Sequence, residues 1–262
     1  MNHSRLTLVA IQAALQAGEV LRKGFGTQFK SYAKTGKQNL VTEYDTLIED
    51  TIISTLTTHF PDHAFLAEES GKSGMLDSPV VWIIDPLDGT VNFANNIPIC
   101  SISIAAMVQK EIVSGVVYQP LTHELFVAEQ KQGAYLNGKP LRVSSIESLD
   151  QSILATGFPY NVDENPLHCI DLFSKITRLG VPIRRLGSAA IDLAYVAAGR
   201  FDAYWEVTLN PWDYAAGKLL VEEAGGKVTH YDGSEHAYLT HETILASNGR
   251  LHPIMIEKLH EV

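Results

Sequence analysis

The sequence predicts an α+β first half joined to an α/β second half, and three observations carry that prediction. Segments 99–108, 112–118 and 124–129 alternate apolar and polar residues and are followed by the turn signal Asn137-Gly138, so the first half holds an antiparallel meander. Beyond a polar stretch at 145–152, short apolar runs alternate with helical patterns, as they do where helices pack on a sheet. No linker, internal repeat or low-complexity run interrupts the chain, which reads as one domain with two lobes, residues 1–148 and 149–262.

Composition narrows the classes. A chain of 262 residues, 45% hydrophobic and 19% charged, is an ordinary globular one. Its 20 Lys and Arg against 30 Asp and Glu give a net charge of −10 with no local basic patch, so direct nucleic-acid binding is not expected. Cys100 and Cys169 lie far apart in apolar surroundings and read as reduced core thiols. The N-terminus has no signal-peptide pattern and no apolar run approaches the roughly 18 residues of a membrane span, so the expected location is cytoplasmic, without membrane contact.

The first element is a helix over 4–23, where Leu6, Val9, Ala10, Ala13, Ala17, Val20 and Leu21 recur at helical spacing and Gly24 ends the run. KTGKQNLVTEYD is polar and loop-like as far as Thr42, the N-cap of a helix with Leu47, Ile48, Thr51, Ile52 and Leu56 on one face. Asp45 falls in its first turn, where a carboxylate gains about 0.3 to 1 kcal/mol from the helix dipole. Residues 64–67 form a short strand that runs into Glu68-Glu69-Ser70-Gly71, a pair that by itself reads as solvated surface.

Residues 80–84 form a buried β-branched strand. Asp85 comes as it ends, Pro86 stops it by removing a donor, and Asp88-Gly89 turns the chain. Two acids thus leave one strand end together, and Gly89 and Thr90 then offer amides and a hydroxyl to an anion. Carboxylates beside an anion cradle call for a cation between them. Later elements are strands at 153–156, 182–185 and 201–206 and helices at 167–178 and 188–198. In the last segment, 210–226, Asp213 stands as N-cap before the periodic Ala216, Leu219, Leu220 and Ala224, and Gly225-Gly226 stops the helix.

Trp82 through Phe93, WIIDPLDGTVNF, resembles the metal and phosphate signature of the inositol monophosphatase family, and further likenesses run from about Lys34 to Gly226. Among them are LVTEYD, the EES at Glu68 and WDYAAG from Trp212 to Gly217. The resemblance implies a layered αβαβα sandwich of the sugar phosphatase type and a lithium-sensitive, bacterial-type inositol-1-monophosphatase, expected as a homodimer. By resemblance, Glu68, Asp85 and the Leu87 carbonyl hold one Mg²⁺, and Asp85, Asp88 and Asp213 a second. Two or three ions per site are implied, and Mn²⁺ can substitute. Asp45 and Thr90 orient the attacking water, with Glu68 counted beside them as catalytic. The Gly89 and Thr90 amides hold the phosphate; Gly187, Ser188, Ala189 and Glu206, with Asp88 and Asp213, face the alcohol. Lys34 corresponds to a lysine on a mobile loop.

An oxygen-only ligand set selects a hard cation, and two such ions about 3.5 to 4 Å apart stabilise the attacking and leaving oxygens of a phosphate ester. Departures from the family pattern are Ala94-Asn95-Asn96-Ile97-Pro98, where His and an aromatic are common, and Pro211 before the tryptophan. The expected substrate is a small phosphate ester, myo-inositol monophosphate. The alternatives are fructose bisphosphate, histidinol phosphate, NADP and phosphoadenosine phosphate, or a non-catalytic partner of the RNA machinery.

Overall fold

The structure, a computed structural model, describes residues 3–33, 40–73, 78–236 and 243–260. Helix α1 (Arg5–Gly24) is capped by the Ser4 side chain, which accepts from the Thr7 N–H, and buries the predicted face of Val9, Ala10, Ala13, Ala17 and Leu21. The stretch expected to be loop-like as far as Thr42 ends in a strand: β2 (Leu40–Thr42) pairs antiparallel with β1 (Ser31–Ala33). Helix α2 (Glu43–His59) follows with Thr42 as N-cap and buries Ile48, Ile52 and Leu56 together with Asp45 and Glu49. Leu47, assigned to that face by the sequence, is 50% exposed, because at 100° per residue it points away from the stripe through 45, 49, 52 and 56.

The main sheet comprises β3 (Ala64–Ala67), β4 (Gly71–Ser73), β5 (Val80–Asp88), β6 (Ser101–Val108), β7 (Glu111–Gln119), β8 (Glu124–Glu129), β9 (Gly133–Leu136) and β10 (Lys139–Pro140), in the order β10-β9-β8-β7-β6-β5-β3-β4. The predicted meander is its β6 to β8 portion, and Asn137-Gly138 turns β9 into β10, both residues at positive φ. Pro86 does not stop β5. The ladder with β6 pairs Asp85 with Ser103 and Asp88 with Ser101, so three steps on β5 face two on β6, and Pro86 sits in the bulge.

Short helix α3 (Thr90–Ala94) leaves the end of β5. The second sheet has β11 (Leu154–Thr156), β12 (Ile183–Arg184), β13 (Ala203–Val207), β14 (Lys227–Thr229) and β15 (Thr243–Ser247), ordered β12-β11-β13-β15-β14. Its helices are α4 (Cys169–Thr177), α5 (Ala189–Ala197), α6 (Pro211–Glu223) and α7 (His252–His260). Helix α4 begins two residues later than the periodicity suggests, because Leu167 and His168 lie at positive φ.

Three hydrophobic clusters show the layering. One face of the main sheet packs on α1 and α2 through Trp82, Ile84, Ile102 and Ile104. The other face meets α5 and α6, which also cover Tyr204, Ile244 and Ala246 of the second sheet. Beyond that sheet, Trp205 and Leu245 pack against Leu172 and Ile176 of α4 and Met255 of α7. The result is an αβαβα sandwich, as expected. Among the described residues no helix is long and apolar enough to cross a membrane.

Candidate active site

The end of β5 is where α2, α5 and α6 all begin; side chains tie α2 and α5 to it and α6 to its neighbour β6. Asp45, the third residue of α2, completes a capping box: its Oδ2 accepts from the Thr42 N–H at 2.7 Å and the Thr42 hydroxyl at 2.5 Å. Its other oxygen, Oδ1, accepts from Thr90 Oγ1 at 2.8 Å. The Thr90 hydroxyl also lies 3.0 Å from the carbonyl of buried Leu87.

Helix α5 reaches β5 through Asp88, whose Oδ2 accepts from Ser188 Oγ at 2.6 Å and the Ala190 N–H at 2.8 Å. Ser188 is the N-cap of α5, and the Ala189 N–H favours the same ionised carboxylate. Helix α6 is held by Ser103, the β6 partner of Asp85, which donates to the Trp212 carbonyl at 3.1 Å. This brings Asp213 beside Asp85. The cap of α6 is Asn210, not Asp213: Pro211 occupies the first helical position, which it favours, and Asp213 Oδ2 accepts from the Asn210 N–H at 2.7 Å.

Gly89 carries the turn at φ 94°, where a Cβ would stand 2.8 Å from the Ile99 carbonyl oxygen. Asn92, which the sequence reading passed over, ties this turn to the loop before α5 by donating to Ile99 O at 2.7 Å and Leu186 O at 2.8 Å, next to Gly187. Phe93 is fully buried against Phe25, Phe29 and Tyr44 and anchors α3. Glu68 follows β3, and its N–H donates to Ile84 O at 3.1 Å, immediately before Asp85. Lys34 lies outside the described residues.

The acids repel one another. Burial pushes Asp85 well above the usual carboxylate range, reinforced by Glu68, Asp88 and Asp213 and opposed by the Leu87 N–H. Asp213 is raised in the same way by burial, Glu68 and Asp88. Burial also lifts Asp88, to about 6, against the hydrogen bonds from Ser188 and Ala190. Asp45 is raised by burial in spite of Thr42 and Thr90. Among the described residues, no three His, Cys, Asp or Glu side chains are already drawn together as a chelate. An all-oxygen set of mutually repelling buried carboxylates is the donor chemistry a hard divalent cation fits.

Glu206 on β13 accepts from the Tyr204 hydroxyl. Burial pushes it up to about 7, with Tyr204 and Arg185 acting the other way and Asp88 adding to the rise. Gly157 leaves room for this side chain, since a Cβ there would stand 1.9 Å from Glu206 Oε2. Two further groups gave no signal in the sequence. Tyr160, 59% exposed, carries a phenol within electrostatic reach of Glu68, Asp213, Asp88 and Asp85. Asp192, one helical turn after Ser188, is buried with no hydrogen-bond partner on Oδ1.

Fold and site define a layered α/β sandwich with a cluster of buried carboxylates at the end of β5, where three helices start. The inositol monophosphatase family model matches residues 2–262, and the chain belongs to that family. Its similarity to curated proteins runs nearly end to end. It is 44% identical over 251 residues to an inositol-1-monophosphatase of Synechocystis, covering 96% of this chain and 87% of the relative. It is 42% identical over 254 residues to the Nus factor SuhB of Escherichia coli, covering 97% and 95%. Among solved structures, the inositol monophosphatase of Anabaena superposes with TM-score 0.85 at 39% identity, covering 98% and 96%. The extragenic suppressor protein suhB of Bartonella henselae does so with TM-score 0.92 at 37% identity, covering 98% and 99%.

Proposed function

We propose that this chain is a Mg²⁺-dependent phosphomonoesterase that hydrolyses myo-inositol monophosphate to myo-inositol and phosphate. The observation that carries the reading is the Asp45–Thr90 pair, at 2.8 Å, at the end of the strand where buried Asp85 is raised by Glu68, Asp88 and Asp213. In this reading Glu68, Asp85 and the Leu87 carbonyl hold one cation and Asp85, Asp88 and Asp213 another, with two or three ions per site and Mn²⁺ able to substitute. A divalent cation held by these residues would supply charge neutralisation at the phosphoryl oxygens and a lower pKa for water.

The chain's own residues do the rest. Thr90 Oγ1 has one proton and two acceptors, Asp45 Oδ1 and Leu87 O. Donation toward Asp45 leaves the threonine's lone pairs to accept from the attacking water; as that water gives a proton to Thr90 Oγ1, the threonine passes its own to Asp45, a base whose pKa burial raises. The Gly89 and Thr90 amides hold the phosphate. Asp88, Ser188 and Ala189, with Gly187 and Glu206, receive the alcohol, whose oxygen takes a proton from solvent as it leaves; water's oxygen stays on phosphorus, and Asp45 returns its proton to solvent. Lithium sensitivity, a homodimer, a two-lobed domain and a cytoplasmic setting belong to the same reading.

The test is a comparison of esters. A site whose buried polar groups pair with substrate hydroxyls penalises esters lacking them by roughly 1 to 3 kcal/mol per group. Glu206→Gln is expected to lower kcat/KM for inositol monophosphate more than for nitrophenyl phosphate. Equal losses, or a wild type that prefers a nucleotide, histidinol phosphate or fructose bisphosphate by about tenfold or more, would overturn the inositol assignment. A second reading, partnership with the RNA machinery, is favoured by the 42% identity to proteins named Nus factor SuhB. Copurification of RNA polymerase with the tagged chain tests it.

A further inference from the structure

We infer that Glu49 is a positioning residue that fixes the Glu68 carboxylate for a divalent cation by clamping the turn that carries it; this rests on the reading of Glu68 as a cation ligand. Glu49 is 3% exposed on the inner face of α2. Its Oε2 accepts from the Glu69 N–H at 2.9 Å and its Oε1 from the Ser70 N–H at 2.8 Å, so both oxygens are spent on the two amides that follow Glu68. Such charge-assisted bonds offset the cost of burying the carboxylate.

The turn they hold joins β3 to β4, whose pairing closes at Ala67 and Gly71. On its near side the Glu68 N–H is bound to Ile84 O, so the residue is gripped from β5 before its Cα and from α2 after it. Glu49 stands four residues beyond Asp45, one turn along the same helix face. Asp45 meets Thr90 and Glu49 meets the Glu68 turn, so one rigid helix sets the spacing between the Asp45–Thr90 pair and the Glu68 turn. A carboxylate that holds a ligand through a neighbouring group typically changes metal affinity by roughly 10- to 100-fold when removed.

The experiment is a calorimetric Mn²⁺ and Mg²⁺ titration of the full-length wild type, Glu49→Gln, Glu49→Asp and the exposed control Asp50→Asn. Melting of the metal-free proteins and phosphate release as a function of Mg²⁺ are measured alongside. Glutamine keeps the shape but turns one oxygen into an N–H₂ that faces an N–H donor. Glu49→Gln is expected to weaken cation affinity by roughly 10-fold or more. The Mg²⁺ needed for half-maximal activity rises by the same factor, and turnover largely recovers at saturating Mg²⁺. Glu49→Asp, one methylene short but still charged, falls between, and serves alone if Glu49→Gln does not fold. Asp50→Asn matches the wild type. Unchanged cation affinity in the Glu49 variants, with only a lower melting temperature, overturns the inference and leaves the phosphatase reading intact. A wild type that binds no divalent cation overturns both.

Discussion

Glu206 shows how burial at a single carboxyl becomes a property of the whole chain. It is 8% exposed, and its pKa is pushed up from 4.5 to about 7. An acid whose folded pKa lies above its unfolded value binds more protons folded than unfolded between the two, so it lowers stability as pH rises through that interval. Between about 4.5 and about 7 the loss is about 3 kcal/mol, and above that it persists. Glutamine cannot ionise. The melting temperature of the metal-free wild type is therefore expected to fall more steeply than that of Glu206→Gln between about pH 4.5 and pH 7; parallel curves in scanning calorimetry would refute the raised pKa. The same scale shows what the sequence could reveal. Asp85, Asp88, Gly89 and Thr90 stand in one string and are legible together. Glu49 is not, because next to Ile48 it reads as the wet edge of an amphipathic helix and its partners are backbone amides twenty residues on. Asn92 and Asp192 are hidden for the same reason: their surroundings come from distant segments.

At the scale of elements, the turn after β5 depends on a residue without a side chain. Gly89 lies at φ 94° with the Ile99 carbonyl oxygen, the Gly187 carbonyl oxygen and the Cys100 Cα within 2.8 to 3.3 Å of where a Cβ would be, all backbone atoms that cannot swing away. Gly26 has a similar φ of 79° and nothing within 4 Å. Gly89→Ala is expected to cost about 1 to 3 kcal/mol more than Gly26→Ala, the cost of forcing extra atoms into a filled site, seen as about 2 to 4 °C of melting temperature per kcal/mol. Equal losses would mean that φ alone matters. Strand and helix positions were mostly legible from period and turn chemistry. Pro86 misled because a missing donor ends a strand only where the ladder needs that donor, and the bulge between Asp85 and Asp88 removes the need. Asp213 misled by three residues because Pro211, which favours the first helical position, moves the cap back to Asn210.

At the scale of the molecule, five layers bring three helix starts to one strand end, so that acids from positions 45, 68, 85, 88 and 213 lie within electrostatic reach of one another. Periodicity predicted sheets and helices but not which helices lie between the sheets; α5 and α6 do so because both of their faces are apolar, and only the resemblance carried that arrangement forward. The central claim is that this cluster of acids hydrolyses a phosphate ester with a divalent cation. Its most direct test is phosphate release from myo-inositol 1-phosphate by the wild type and Asp213→Asn, each with saturating Mg²⁺ and again with excess chelator. Release by the wild type with Mg²⁺, its abolition by chelation and a fall of at least about 100-fold in Asp213→Asn at an unchanged fold are the predicted results. Release that persists without the cation, or an Asp213→Asn protein as active as the wild type, would contradict the account.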